Sequence, residues 1–151
     1  MYRISKTDSA NADFIALVQQ LDADLAARDG DEHAFYHQFN GIQQLAHVVI
    51  LYDDNTAVAC GAFKEIEQAT VEVKRMYTLP SYRSKGYASR ILEALEQWAK
   101  EENYTTAVLE TGKRQPEAIA LYQKNGYSII PNYGQYAGVE NSVCFRKKLI
   151  P

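Results

Sequence analysis

Apolar positions along the chain recur with two periods, and the changes of period mark the elements. Between Ala12 and Ala27 they fall at Phe14, Ile15, Leu17, Val18, Leu21 and Leu25, the 3.6-residue spacing of an amphipathic helix. Asn11 stands where an N-cap belongs, and Gly30 follows the last apolar turn. A second, shorter helix is predicted at Asp31–Phe39. The strongest helical pattern runs from Ser84 to Glu102, with Ala88, Ile91, Leu92, Leu95, Trp98 and Ala99 on one face and Glu93, Glu96, Lys100 and Glu101 on the other. Gln115–Asn125 is a further helix, ended by Asn125-Gly126. Strands are predicted at Tyr2–Ser5, Ala46–Tyr52, Thr56–Ile66, Ala69–Leu79, Thr105–Glu110, Tyr127–Ile130 and Ser142–Leu149. Asp53-Asp54-Asn55 supplies hairpin chemistry between the second and third, and Pro80 stops the fourth. The order β-α-α-β-β-β-α-β-α-β-β predicts an α/β protein with one mixed sheet and helices on both faces.

Composition narrows the function classes. The 151 residues are expected to form a single domain, residues 1–151. A 46% hydrophobic and 23% charged composition speaks for a globular chain rather than a disordered, collagenous or coiled-coil one. Sixteen basic and nineteen acidic residues leave a net charge of −3. A general nucleic-acid or anionic-membrane binder is more often basic, so an anionic ligand requires a local cationic patch. Two cysteines, Cys60 and Cys144, make no disulfide framework and read as buried thiols, neither with the positioned histidine of a thiol nucleophile. Met1–Ser5 carries no apolar leader and no window approaches 18 apolar residues, so a cytoplasmic protein is expected. Eleven tyrosines against five phenylalanines and one tryptophan suit half-wet cavities, where a ring packs and a hydroxyl finds a partner.

The cationic patch lies in Val71–Ala88, VEVKRMYTLPSYRSKGYA. A strand ends at Pro80 and a short loop opens into the longest predicted helix. Gly86 falls in its first turn, where bare backbone lets a ligand approach and unsatisfied N–H groups carry the positive dipole end. Arg83 and Lys85 add charge, with Lys74, Arg75 and Arg90 near in sequence. Neither G-x-x-x-x-G-K-[ST] nor a G-x-G-x-x-G after a strand is present. Arg83-Ser84-Lys85-Gly86-Tyr87-Ala88 instead fits R/Q-x-x-G-x-G/A, preceded by RMYTLP and followed by ASRILEALEQWA. This resembles the acetyl-CoA pyrophosphate loop of the GNAT N-acetyltransferases. Further on, Ala118–Tyr127, AIALYQKNGY, is similar to the family's second signature, A-x-x-L-Y-x-x-x-G-F/Y. The resemblance runs over Val71–Tyr127 and extends to the C-terminal strand; residues 1–66 match only in element order.

The resemblance implies a GNAT-like fold, a mostly antiparallel central sheet of about seven strands, with acetyl-CoA as co-substrate and no metal. It implies that the backbone of Met76, Tyr77 and Thr78 holds the pantetheine arm, and that Arg83, Ser84, Lys85, Gly86, Tyr87, Ala88 and Ser89 form the phosphate loop. Gln115 stands where the family usually has Asn; its longer amide can still bond the cofactor arm. Ser84 replaces a common Gly, and its hydroxyl can donate to phosphate.

Acetyl transfer to an amine demands a neutral amine, a donor for the oxyanion and a proton for the departing thiolate. Tyr122 matches the family's tyrosine near the thioester sulfur and is the expected general acid, since a phenol of pKa about 10 is protonated at neutral pH. The plain alternative is a tyrosine packing the core. Glu72 is the candidate base. Period 2 places Glu72, Lys74, Met76 and Thr78 on one strand face, and Glu72 stands six before Thr78, the spacing of the glutamate base in several GNAT enzymes. A solvated pair with Lys74 is the alternative. Glu110, at the C-terminal end of its strand, competes as the base or binds a cationic acceptor across the cleft between diverging parallel strands. The family's acceptor walls correspond to two aromatic-rich segments, His33–Phe39 and Tyr133–Gly138, with Tyr36, Tyr133 and Tyr136 as candidates. His33 and His37 share an i, i+4 spacing but lack a third ligand and the Glu of H-E-x-x-H, which argues against metal. Arg146-Lys147-Lys148 reads as a solvated strand end. The implied activity is acetyl transfer from acetyl-CoA to a primary amine of a small molecule or peptide, by direct attack in a ternary complex. The rival is a catalytically inactive GNAT-fold acyl-CoA sensor or partner-binding module. No nucleic-acid or membrane partner is expected; a homodimer enters only as the family's common habit.

Overall fold

The computed structural model describes residues 1–29 and 44–150. The helix expected at Asp31–Phe39, and with it His33, Tyr36 and His37, lies outside the described residues. Seven strands form one sheet: β1 (Tyr2–Thr7), β2 (His47–Asp53), β3 (Thr56–Glu67), β4 (Thr70–Thr78), β5 (Thr106–Gly112), β6 (Ser128–Ile130) and β7 (Ser142–Lys148). Their spatial order is β1-β2-β3-β4-β5-β7-β6. Every pairing is antiparallel except β4 with β5. Three helices accompany the sheet among the described residues: α1 (Ala12–Asp29), α2 (Tyr87–Glu101) and α3 (Pro116–Lys124). The mixed, mostly antiparallel sheet with helices on both faces is the architecture the pattern predicts.

Both faces of the sheet centre are covered, which explains the unbroken apolar run of β2. Val48 and Ile50 join Phe14, Leu17 and Leu21 of α1. Val49 and Leu51 join Ile91, Leu92 and Leu95 of α2, and Tyr122 of α3 belongs to the same cluster. Helix ends follow local chemistry. Asn11 Oδ1 accepts from the N–H groups of Asp13 at 2.8 Å and Phe14 at 3.1 Å, a satisfied N-cap. Beyond α3, Gly126 takes φ +91, the left-handed exit its sequence foretold.

Two features depart from the pattern. The polar face assigned to α2 includes Glu96, yet Glu96 is buried. It accepts from the Tyr127 hydroxyl at 3.0 Å and from Lys147 Nζ at 2.8 Å, so a charge enters the interior only because two donors meet it there. Lys147 is correspondingly half-buried rather than solvated. Second, β4 carries a bulge. Cys60 pairs with Tyr77 but Ala62 pairs with Lys74, leaving one extra residue on β4, and Arg75 sits at φ +59. The bulge splits the set that simple alternation groups together. Glu72 and Lys74 face the α1 side, opposite Lys64 and Ala62, whereas Met76 and Thr78 turn to the α2 side, and Tyr77 joins the α1 cluster.

Gly61 lies across from the bulge. A Cβ there would meet Met76 Sδ at 2.6 Å, Ile91 Cγ2 at 2.7 Å and Leu95 Cδ1 at 2.9 Å. Gly61→Ala is expected to overpack this contact and lower stability by about 1–3 kcal/mol, read as an earlier urea midpoint with an unchanged m-value.

Candidate active site

The parallel pairing of β4 with β5 covers only Thr70–Glu72 against Thr106–Val108. Beyond it β5 continues along β7 and β4 along β3, so the two strands part. A cavity of about 530 Å³ opens in the gap, walled by β4, β5, the ends of α1 and α3, and the start of α2. At its mouth Arg28 of α1 pairs with Asp24 at 3.3 Å and with Glu117 of α3, and donates to the Arg114 carbonyl at 3.4 Å.

The loop between β4 and α2 forms one wall. Pro80–Tyr82 makes a 3-10 turn, and α2 begins at Tyr87 rather than at Ser84. Ser84 at φ +66 and Gly86 at φ +83 are both left-handed, which no helix interior accommodates. A Cβ on Gly86 would meet nothing within 4 Å, so backbone conformation rather than crowding makes glycine suitable there. The turn is pinned on both sides. Arg83 Nε donates to the Thr78 carbonyl at 2.9 Å. The Tyr87 hydroxyl donates to Asp53 Oδ2 at 2.6 Å, and that bond pushes the phenol up to about 12. The Ser89 hydroxyl accepts from Asn125 Nδ2 at 3.2 Å. The first-turn N–H groups of α2 have no partner within the helix, and Tyr87, Ala88 and Ser89, which carry them, line the cavity.

Of the residues expected to hold the cofactor, Met76, Tyr77, Thr78, Arg83, Ser84, Gly86, Tyr87, Ala88, Ser89 and Gln115 all line the cavity. Lys85 does not; its Nζ lies 5.4 Å from the Tyr82 ring. Lys124 of α3 lines the cavity instead, a cation the pattern did not single out because it lies in the second signature rather than the loop.

Glu72, Glu110, Tyr122 and Tyr136 also line the cavity. Glu72 is 4% exposed. One of its oxygens accepts from Lys74 Nζ at 3.4 Å and the other from the Tyr133 hydroxyl at 2.6 Å. The solvated Glu72–Lys74 pair considered from sequence is therefore a buried one. Burial pushes the Lys74 ammonium below its ordinary value, with Glu72 pulling the other way. Glu110 accepts from Ser142 Oγ at 2.7 Å. Tyr122 packs edge-on to Tyr127 at 5.9 Å and beside Phe145 at 5.8 Å. Burial, then the Glu110 charge, pushes its phenol well above the ordinary value, so it holds its proton. Tyr133 and Tyr136 stack edge-on at 5.8 Å, and burial followed by Glu72 and Glu110 respectively raises both phenols. Tyr133 lines a second cavity behind Glu72 rather than the first. Sequence reasoning placed the two tyrosines on an acceptor wall; no sequence signal marks the 61-residue span that brings Tyr133 onto Glu72.

The model of the acetyltransferase (GNAT) family matches residues 14–127. The chain belongs to the GNAT acetyltransferase family. It is similar over nearly its whole length to a Klebsiella pneumoniae protein assigned to the acyl-CoA N-acyltransferases, at 32% identity and TM-score 0.83, covering 99% of each chain. An IAA acetyltransferase of Azospirillum brasilense is 36% identical over 95 residues, which is 62% of this chain and 62% of that protein; the match thus spans under two thirds of that curated relative. A GNAT acetyltransferase of Elizabethkingia anophelis, solved with acetyl-CoA bound, shares the fold at TM-score 0.68 and 16% identity, covering 97% of each chain. No helix among the described residues is long and apolar enough to cross a membrane. No group of three or more His, Cys, Asp or Glu among them is placed to hold a metal.

In this GNAT fold both thiols sit in the interior. Cys60 is fully buried, donates to the Arg75 carbonyl at 3.4 Å, and is pushed up to about 12 by burial. Cys144 is fully buried beside Tyr136, and burial raises its thiol as well. Since the thiolate is the reactive form, the native protein is expected to react with neither iodoacetamide nor a thiol-exchange dye at pH 8, while the urea-unfolded chain reacts at both cysteines; fast stoichiometric labelling of Cys60 in the native state would contradict this.

Proposed function

We propose that the protein transfers an acetyl group from acetyl-CoA to a primary amine in a ternary complex. The observation that carries this reading is the convergence on one cavity of the left-handed turn at the start of α2, the parted edge of β4, and the side chains of Glu72 and Tyr122. The residues present fit the donor. The turn at Ser84–Gly86 offers backbone N–H groups and Arg83 beside them, suited to a pyrophosphate. The β4 backbone of Met76–Thr78, facing the gap left by β5, can pair with an amide-bearing pantetheine arm, and Gln115 at the start of α3 offers a further amide.

The chemistry then divides between two side chains. Glu72 takes the proton that the ammonium form of the acceptor must lose, leaving a nitrogen lone pair to attack the thioester carbonyl. A C–N bond forms, the C–S bond breaks with its electron pair leaving on sulfur, the Tyr122 phenol supplies the proton that converts thiolate to thiol, and the second proton that the attacking nitrogen sheds in becoming an amide returns to the Tyr122 phenolate. A β4 amide facing the gap polarises the acetyl carbonyl. Thiolate is a good leaving group, with thiol pKa about 8.5, so positioning carries much of the rate and the acid's share is modest. Glu110, held by Ser142, and Tyr136 line the same cavity beside the reacting groups.

Calorimetry is expected to show acetyl-CoA binding to the wild type, and a thiol-release assay over a panel of amines to show turnover. Tyr122→Phe is expected to lower kcat by about tenfold to a hundredfold, the lower part of the range for acid–base groups, with acetyl-CoA affinity unchanged; an equally fast variant removes Tyr122 from its role. Glu72→Gln is expected to lower kcat/KM most at low pH, where the acceptor is most fully protonated. If Glu110→Gln shows that effect and Glu72→Gln does not, the base is Glu110. Acetyl-CoA binding without thiol release from any amine would favour a sensor.

A further inference from the structure

One row of the sheet reads Lys64, Glu72, Val108, Arg146 across β3, β4, β5 and β7. Lys64 is the register partner of Glu72, Glu72 of Val108, and Val108 of Arg146. Residues paired directly across strands point to the same face, and these four line a second cavity of about 430 Å³. Tyr133 and Gln135 line it from the loop that precedes β7. Glu72 lines both cavities, and the expected phosphate-loop residues line only the first.

The charges of the second cavity are unevenly satisfied. Glu72 is engaged by Lys74 and Tyr133. Lys64, half-buried, and Arg146, exposed, make no ion pair among the described residues. Glu67 is a further acid there, and it is exposed. Strands lie about 4.8 Å apart, which puts the backbone of Lys64 one spacing from Glu72 and that of Arg146 two, about 10 Å. Ile66, Val108 and Ile130 supply apolar wall. The cavity thus offers a carboxylate shared with the first cavity, a cation on either side of it and an apolar lining.

We propose that this second cavity admits the acceptor, and that it selects an amine that also bears a carboxylate: an amino acid with an apolar side chain. Arg146 and Lys64, reaching in from opposite sides, take the carboxylate, the side chain lies against Val108 and Ile130, and the amine reaches Glu72 where the Tyr133 hydroxyl donates. This inference rests on the acetyltransferase reading above and adds the substrate class.

The test uses the product's own chemistry, which removes differences in amine pKa. The full chain in the presence of CoA is titrated with N-acetyl-L-leucine and with N-acetyl-L-leucinamide by calorimetry. The acid is expected to bind at least about tenfold tighter, as charge-assisted pairing requires, and the double variant Lys64→Gln/Arg146→Gln to remove that difference while acetyl-CoA affinity stays unchanged. Equal affinity for acid and amide, binding of neither, or a preference that survives the double variant overturns the proposal while leaving the acetyltransferase reading standing. Failure of acetyl-CoA itself to bind overturns the broader reading and this one with it.

Discussion

The structure turns on how little of β4 pairs with β5. Three residues of parallel ladder, Thr70–Glu72 against Thr106–Val108, join the two parts of the sheet. Past them each strand keeps its other neighbour and the two part. A parallel pair needs a crossover, here α2, to bring its second strand into place, and the start of that crossover opens at the gap. The cavity, the helix N-terminus and the exposed edge of β4 are therefore one consequence of a ladder that stops early.

The bulge at Arg75 determines what the gap contains. Without it, simple alternation would put Glu72, Lys74, Met76 and Thr78 on the same side. With it, the acid and its lysine partner face one side of the sheet while Met76 packs into the opposite core against Gly61 and α2. The cost of a positive φ at Arg75 is offset by its surroundings: the guanidinium pairs with Asp22 of α1 at 2.8 Å, and its carbonyl accepts from Cys60. A chemical face and a packing face are thus obtained from one strand. Burying the Glu72–Lys74 pair also has a cost, which the Tyr133 hydroxyl helps to offset by satisfying the second carboxylate oxygen.

Much of this was legible in the sequence because it rests on local chemistry. Periodicity located every strand to within a few residues, and the Asn11 cap and the Asn125-Gly126 exit are short-range signals. The Arg83–Ala88 loop and the AIALYQKNGY segment identified the family and pointed to the cavity lining. What was not legible depends on register and on long-range meetings. A bulge at an arginine has no residue signature, since glycine would be the usual marker of positive φ, so alternation misplaced Met76 and Thr78. Glu96 read as solvated because its partners, Tyr127 and Lys147, are remote in sequence. Lys85 read as part of the phosphate loop because of its position, while its side chain turned to Tyr82.

The Glu96–Tyr127–Lys147 cluster bears on the cleft in a further way. α2 is fastened along its apolar side to β2, β3 and β4, and at Glu96 to Lys147 of β7. It therefore acts as a brace across two half-sheets that share only a short ladder. Spreading those halves would pull a buried carboxylate away from a half-buried ammonium, which is more costly than bending an exposed loop. The width of the cleft is accordingly set before any ligand arrives, and a ligand that enters it loses its own freedom without also having to order the walls.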